Sequence, residues 1–164
     1  MDATISALLP LTLLDSLAAM PIGPFALPAI IAAVTASLVA MSVPGAVNTM
    51  SFLSGLVLGV GGIFVVVLGC ALGTHLLFLA TRRWLGERMQ RRFGAKLQGV
   101  QGHLARRGPI YVVGARLGGV PHVVVTAGCA ATPMTMRAFL AASMLGMLPA
   151  ISLSALAGTG LAAF

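Results

Sequence analysis

The chain has 164 residues, of which 59% are hydrophobic and only 8% are charged, and its mean hydropathy is +1.04. A soluble domain carries roughly a quarter charged residues, so the composition excludes an ordinary soluble protein. The net charge of +7 is concentrated in one short segment between apolar stretches, which makes nucleic-acid binding a poor interpretation. At about 20 apolar residues per spanning helix, the sequence predicts a single all-α integral membrane domain over residues 1–164, with about three transmembrane helices.

Residues 1–24 are predicted to be an N-terminal interfacial segment that lies along the membrane. Pro10 and Asp15 interrupt this apolar stretch, which weakens a spanning helix, although a true span is the alternative. Asp2 stands where a secretory signal peptide has basic residues, so no such signal is expected.

The first half of the domain, residues 25–81, opens with an uncharged stretch over 25–43 that predicts a transmembrane helix. Residues 44–59 are interpreted as a first re-entrant hairpin, because they are too short to cross a membrane and return. The alternative is an ordinary helix that packs through its glycines. The hairpin is bracketed by turn-forming and small residues, Pro44, Gly45, Gly55 and Gly59.

A second span is predicted over residues 63–81, where Gly69 and Gly73 offer a face for close packing. Residues 82–108 then form a basic amphipathic connector, in which apolar residues recur every three or four positions. We expect its glycines to split it into two pieces. The connector holds eight of the ten lysines and arginines: Arg82, Arg83, Arg88, Arg91, Arg92, Lys96, Arg106 and Arg107.

The positive charge of the 82–108 connector predicts how the protein is oriented in the membrane and which lipids it contacts. By the positive-inside rule the 82–108 loop is cytoplasmic, and the protein is expected in a bacterial cytoplasmic (inner) membrane. Anionic lipid headgroups are the expected partner of the basic residues. A solvated connector without a mechanistic role is the alternative.

The second half, residues 109–164, contains an arginine in an apolar stretch. Arg116 is followed by Gly118, Gly119 and Pro121, which break the helical pattern. A charge and a broken backbone are both costly in lipid unless they face a cavity or other protein. We therefore interpret residues 109–132 as a second re-entrant hairpin, oriented oppositely to the first.

Residues 138–164 predict the last span, in which Pro149 is expected to produce a kink. Two halves of opposite orientation, each with a broken segment beside a span, are typical of transporters built from inverted repeats.

These residues together resemble the DedA/TVP38/VTT superfamily, the SNARE-associated Golgi protein family, over roughly residues 30–160. The absence of carboxylates from the first hairpin makes the chain look closer to the TVP38 branch. The matching residues are Pro44-Gly45, Ser54-Gly55, Leu58-Gly59, Arg116-Leu117-x-x-x-Pro121, Ala127-Gly128, Phe139, Leu145-Gly146 and Pro149.

The resemblance implies two facing re-entrant hairpins wrapped by transmembrane helices, and a role in moving lipids across a bilayer. Bacterial relatives are linked to the recycling of undecaprenyl phosphate, and eukaryotic relatives to phospholipid scrambling. Arg116 would correspond to the family's hairpin arginine. The chain departs from the family where Gly118-Gly119 stand in place of a further proline, and where Thr126 stands in place of an asparagine.

Five residues are candidates for substrate binding. Arg116 is the strongest, because a guanidinium binds phosphate through two parallel hydrogen bonds and stays charged in a dry site. The others are His122, Asn48, Thr126 and Arg137. Each has a structural alternative, such as satisfying broken backbone or anchoring a helix at the interface. The residues expected to shape the hairpins are Pro44, Gly45, Gly55, Gly59, Gly118, Gly119, Pro121, Gly128 and Pro149.

The predicted function is a lipid translocase or scramblase that moves a lipid phosphate, such as undecaprenyl phosphate or a phospholipid, between the hairpins. A non-transporting scaffold or assembly factor and a small ion-coupled transporter are the alternatives. An enzyme is not expected, because no membrane segment offers a carboxylate for acid–base work or metal binding. No cofactor and no metal are predicted, and the glycine faces would permit a homo-oligomer.

Overall fold

The computed structural model describes residues 23–130, 132 and 134–162, and the side chains of these except 23, 24 and 85–106. Residues 1–22 of the predicted interfacial segment lie outside the described residues. Within the described ranges the chain contains helices and turns but no strand, which confirms the all-α prediction. The helices are α1 (Gly23–Ala40), α2 (Ala46–Leu58), α3 (Gly62–Leu117), α4 (His122–Ala130) and α5 (Met136–Ala162), with a 3-10 turn at Gly59–Gly61.

The two helices that precede a sharp turn end in the same way. The amide of Val43 donates to the carbonyl of Leu38 at 3.0 Å after α1. The amide of Val120 donates to the carbonyl of Ala115, also at 3.0 Å, after α3. Such a bond back across the last helical turn is the hallmark of a Schellman motif, which satisfies carbonyls left free at a helix end.

A Schellman motif needs one residue in the left-handed backbone region, and the two turns fill this position differently. Gly119 has a φ of 72° and occupies it after α3, as glycine usually does. Ser42 has a φ of 58° and occupies the equivalent position after α1. Among the described residues, Ser42 is the only residue other than glycine with a positive φ.

The helix α1 packs along the first part of α3 through small residues. A Cβ atom at Gly69 would lie 2.7 Å from the carbonyl oxygen of Ala32, and one at Gly73 would lie 2.5 Å from that of Ala36. Residue numbers rise together on both helices, so the two run parallel. The close-packing face predicted from Gly69 and Gly73 is therefore confirmed.

The short helix α2 packs along α5 in the same fashion. Val47 contacts the cluster that holds Ile151, and Gly55 lies directly against the backbone of Ala155. The hydroxyl of Thr159 donates to the carbonyl of Gly55 at 3.2 Å. These contacts make α2 and α5 parallel neighbours and leave no room for a side chain at Gly55.

The two long helices run antiparallel. Phe78 of α3 stacks on Phe139 of α5 with ring centroids 4.7 Å apart. Cys70, eight residues earlier in α3, packs in one buried cluster with Met147 and Ile151 of α5. Rising numbers on α3 thus meet falling numbers on α5.

The helix α3 cannot be one straight rod. Thr74 and Arg116 both hydrogen-bond to His122, although 42 residues separate them in sequence. A straight helix of that length would span about 63 Å. The helical segment therefore bends back on itself between residues 84 and 109, and its last part lies beside its first.

The whole arrangement repeats one pattern twice: a helix, a sharp turn, a short helix and a long helix. The first copy is α1, α2 and residues 62–84 of α3, and the second is residues 109–117 of α3, α4 and α5. Because the long helices are antiparallel, the two copies run in opposite directions. Each short helix lies along the long helix of the other copy.

The predicted first hairpin has the wrong boundaries. Residues 44–59 do not reverse direction internally, because Ala46–Leu58 is the single helix α2. Its hydroxyls do not break it: Ser51 donates to the carbonyl of Val47, and Ser54 to that of Gly62. The reversals lie on either side, at residues 41–45 and 59–61.

Within the described part of the chain, two apolar helical stretches are long enough to cross a membrane, Ala46–Trp84 with 39 residues and Met136–Ala162 with 27. The first bends sharply at Gly59–Gly61, where Ser54 contacts Gly62. The predicted span over residues 25–43 is only the shorter apolar helix Phe25–Ala40. Large apolar side chains cover the outer face of α3 at intervals of three or four residues: Phe64, Leu68, Leu72, Leu76 and Leu79.

Candidate functional site

A cavity of about 520 Å³ lies between the two sharp turns and receives residues from both copies of the pattern. From the first turn come Ser42, Val43, Pro44, Gly45, Val47 and Asn48. From the second turn come Arg116, Leu117, Gly119, Val120, Pro121, His122 and Val123, and α5 adds Met147 and Ala150.

Arg116 reaches this cavity from the last turn of α3, next to the glycine break. Its side chain passes across Gly146 of α5, where a Cβ atom would lie 2.6 Å from the Cβ of Arg116 and 3.0 Å from the carbonyl oxygen of Val113. The arginine can occupy this path only because residue 146 has no side chain.

Neutral groups hold the guanidinium of Arg116. Its Nη1 lies 2.8 Å from Nδ1 of His122. Its Nη2 donates to the hydroxyls of Thr126 at 3.3 Å and Ser143 at 3.5 Å. The guanidinium carbon lies 6.0 Å from the ring centroid of Phe139, within reach of a cation–π contact.

The partners of His122 fix its tautomer. An arginine only donates hydrogen bonds, so Nδ1 of His122 must accept from Arg116. The ring proton of neutral His122 is then on Nε2, which lies 3.3 Å from the hydroxyl oxygen of Thr74 and donates to it. Thr74 lies near the middle of residues 62–84, about 18 Å along the helix from residue 62. The site is therefore at mid-depth of that long helix.

No carboxylate lines the cavity among the described residues. The chain has three acidic residues, Asp2, Asp15 and Glu87, and none belongs to either turn. The guanidinium Nε of Arg116 is buried and makes no hydrogen bond with any described group. Among the described residues, the cavity therefore presents a positive charge that no negative charge faces.

The cavity also faces the N-terminal ends of two helices. Gly45, Val47 and Asn48 belong to the start of α2, and His122 and Val123 to the start of α4. The first amide groups of a helix have no partner within it and carry a partial positive charge. Arginine and both helix ends together make the cavity attractive to an anion.

A second arginine, Arg82, forms a hydrogen bond just beyond the C-terminal end of α4. Arg82 donates from Nη2 to the carbonyl of Thr132 at 3.3 Å, and its guanidinium carbon lies 5.3 Å from the ring centroid of Phe78. Phe78 in turn stacks on Phe139, over which Arg116 lies. Arg82 and Arg116 therefore contact the two rings of one stacked pair, Phe78 and Phe139.

The structure brings together four of the five candidate binding residues. Arg116, His122 and Asn48 line the cavity, and Thr126 bonds to Arg116 from one turn further along α4. Arg137 is exposed at the start of α5 and does not line the cavity.

The residues expected to shape the hairpins fall into three groups. Pro44, Gly45, Gly118, Gly119 and Pro121 lie in the two sharp turns, and Gly59 is in the 3-10 turn with a φ of 60°. Gly55 is a packing contact. Gly128 lies within α4 with open space around it, and Pro149 lies within α5, which stays helical through it.

Sequence reasoning missed several residues of the site, Ser42, Thr74, Ser143 and Gly146. Thr74 and Ser143 are hydroxyl residues in apolar helices, where such residues commonly bond to their own backbone and carry no pattern, and Ser42 is a single serine in a turn. Gly146, three residues before Pro149, is compatible in sequence with either a kink or a close approach, and the structure shows the close approach, of Arg116. Only Gly146 carries a sequence signal, as part of the Leu145-Gly146 pair.

Comparison with known proteins gives one match. The sequence model of the VTT domain matches residues 43–160, a range that includes α2 to α4, most of α5 and the whole second turn. No curated protein and no solved structure matches the chain.

Proposed function

The chain belongs to the VTT domain family, the DedA/TVP38 superfamily, and from that premise we propose that it moves an anionic lipid headgroup across a membrane. The headgroup would pass through the cavity between the two sharp turns. The turns and their flanking helices would be the two re-entrant hairpins, dipping from opposite sides. Family membership, the two long apolar helices and the apolar outer face of α3 make the protein a membrane protein.

The observation that carries this proposal is that the hydrogen-bond partners of Arg116 are all uncharged among the described residues. The side chain sits at mid-depth beside an open cavity, held by a histidine and two hydroxyls and by no carboxylate among the described groups. An unpaired charge in such surroundings is costly, and intramembrane ionisable residues are usually functional. An anion entering the cavity would supply the missing charge.

Phosphate is the anion whose geometry fits best. Nε of Arg116 is without a partner among the described groups and can donate to one phosphate oxygen, and both helix N-termini add amide donors for the others. The apolar residues around the cavity, among them Val43, Val47, Leu117 and Met147, would contact the first carbons of the lipid chain. The expected substrate is therefore a phospholipid or a polyprenyl phosphate, with the tail remaining in the bilayer.

The test is lipid translocation in proteoliposomes. We would compare the native protein with Arg116→Ala and Arg116→Lys, using a fluorescent phospholipid and a polyprenyl phosphate. Hydrogen bonds to a charged group contribute roughly 1.5–3 kcal/mol, which corresponds to roughly a ten- to hundredfold loss for the alanine variant. Lysine keeps the charge but not the Nε–H donor or the guanidinium contacts with His122, Thr126 and Ser143, so an intermediate rate is expected.

Arg137→Ala is the matched control. It removes the same charge from an exposed position outside the cavity, so translocation should continue at close to the native rate. Equal loss in both variants would point to a general effect of positive charge and contradict a role for the cavity. No movement of either lipid by well-folded native protein would contradict translocation and favour a non-transporting scaffold.

A further inference from the structure

Only two buried side-chain polar atoms in the described part of the chain lack a hydrogen-bond partner, Oγ of Ser42 and Nε of Arg116. Both residues line the same cavity. They come from opposite copies of the repeated pattern, Ser42 from the first turn and Arg116 from the second. Buried polar atoms are nearly always paired, so two unpaired atoms on residues that line one cavity favour a ligand of that cavity as the missing partner.

Ser42 is also unusual in its backbone. Its φ of 58° is a conformation that glycine adopts freely and other residues rarely adopt. The equivalent position in the second turn is occupied by Gly119, and glycine is the residue usually found in this conformation. A side chain in a position that suits glycine better, with its hydroxyl aimed at no protein partner, indicates a role for the hydroxyl itself.

We propose that Ser42 is a second ligand of the headgroup, so that one anion bridges the two turns. This inference rests on the proposed function. The hydroxyl of Ser42 donates to one oxygen of the anion, and Nε of Arg116 donates to another. The ligand class is therefore an anion with at least two oxygens free to accept, as in a phosphate ester.

When one anion bridges the two turns, the two copies of the pattern contribute different groups to it. Arg116 supplies the charge, and its remaining donors stay engaged with His122, Thr126 and Ser143. Ser42 supplies a neutral donor from the opposite wall, next to the start of α2. An anion held from both sides links the two turns, which otherwise belong to separate helix pairs.

The backbone of Ser42 allows a test in which stability and binding change in opposite directions. Ser42→Gly removes the hydroxyl and relieves the unfavourable φ, so the unfolding temperature in detergent should rise. Binding of short-chain phosphatidic acid, measured by titration calorimetry in the same detergent, should weaken roughly tenfold through loss of a hydrogen bond to a charged group. Ser42→Thr keeps the hydroxyl, so it should bind more tightly than Ser42→Gly while being less stable than the native chain.

The outcomes separate this inference from the proposed function. If Arg116→Ala loses binding but Ser42→Gly binds phosphatidic acid as the native chain does, the hydroxyl is no ligand and the bridging proposal fails alone. If neither the native chain nor any variant binds phosphatidic acid, the proposed function fails and the role of Ser42 with it. Weakened binding in a more stable Ser42→Gly variant supports both.

Discussion

At the scale of single residues, the site depends on what surrounds one arginine. Arg116 is held by acceptors that carry no charge, and its path to the cavity exists because Gly146 has no side chain. A carboxylate in place of those acceptors would neutralise the arginine permanently. The neutral surroundings therefore keep the charge available to a ligand.

Gly146→Ala tests that path. The added Cβ would lie 2.6 Å from the Cβ of Arg116 and 3.0 Å from a backbone carbonyl, so Arg116 must move. Overpacking of this kind costs about 1–3 kcal/mol of stability, and displacement of the guanidinium should lower lipid translocation as well. Gly160→Ala in the same helix has open space around it and should be neutral or slightly stabilising. Thermal unfolding and translocation of the two variants would be compared. Native transport by Gly146→Ala would show that the guanidinium can reach the cavity by another path.

At the scale of helices, close backbone contacts through glycine hold the bundle together. Gly69 and Gly73 bring α1 against α3, and Gly55 and Gly158 bring α2 against α5. In a membrane, apolar side chains gain little by leaving lipid, so helices associate through tight packing of small residues. The positions of these glycines therefore decide which helices are neighbours.

Gly69→Ala should destabilise the protein by about 1–3 kcal/mol, because the new Cβ would lie 2.7 Å from the carbonyl oxygen of Ala32. Gly114→Ala, also in α3, has nothing within 4 Å and should gain up to about 1 kcal/mol from helix propensity. Thermal unfolding in detergent measures both. Equal stability of the two variants would mean that α1 does not pack against α3 as described.

At the scale of the whole molecule, the two turns meet at one cavity in the middle of the bundle. A cysteine at Asn48, which is exposed and lines the cavity, should react with a small charged thiol reagent added in water. The native cysteines, Cys70 and Cys129, are buried and should react slowly. Mass spectrometry of reconstituted protein would follow the labelling.

Leu76→Cys is the matched control for depth. It lies two residues from Thr74 on the long helix but on the exposed apolar face of α3. Lipid would shield it from a charged reagent, so it should react far more slowly than the cysteine at position 48. Equal reactivity at both positions would contradict a water-filled cavity enclosed by protein.

Much of this arrangement could be predicted from sequence, because the apolar composition of the chain and the glycines and prolines that interrupt its helical stretches are visible locally. The all-α class, the packing role of Gly69 and Gly73, and the turn after Arg116 all followed from such signals. Pro44 and Gly45 predict a break in the chain, and they do lie in the first sharp turn, but the residues that follow them form the single helix α2 rather than a hairpin. The TVP38 branch stays a prediction.

The partners of Arg116 could not have been found in this way. Ser143 and Thr74 lie far from Arg116 in sequence, and single hydroxyl residues in apolar helices have no distinguishing pattern. Ser42 gave no sequence signal, because its backbone conformation is set by the end of α1 and becomes visible only in three dimensions. Distant contacts of small residues are the part of a site that one sequence conceals.

The exchange of short helices between the two copies has a consequence for how the protein is made. Gly55 packs against Ala155, which the ribosome adds 100 residues later. Until then α2 can pack only against α1 and α3, and the close contact at Gly55 cannot form. A chain interrupted before α5 would lack the helix that packs against α2 and lines the cavity beside the first turn. Neither half should therefore fold by itself. Assembly is therefore expected to be late and all-or-none, with unfinished chains left to quality-control proteases.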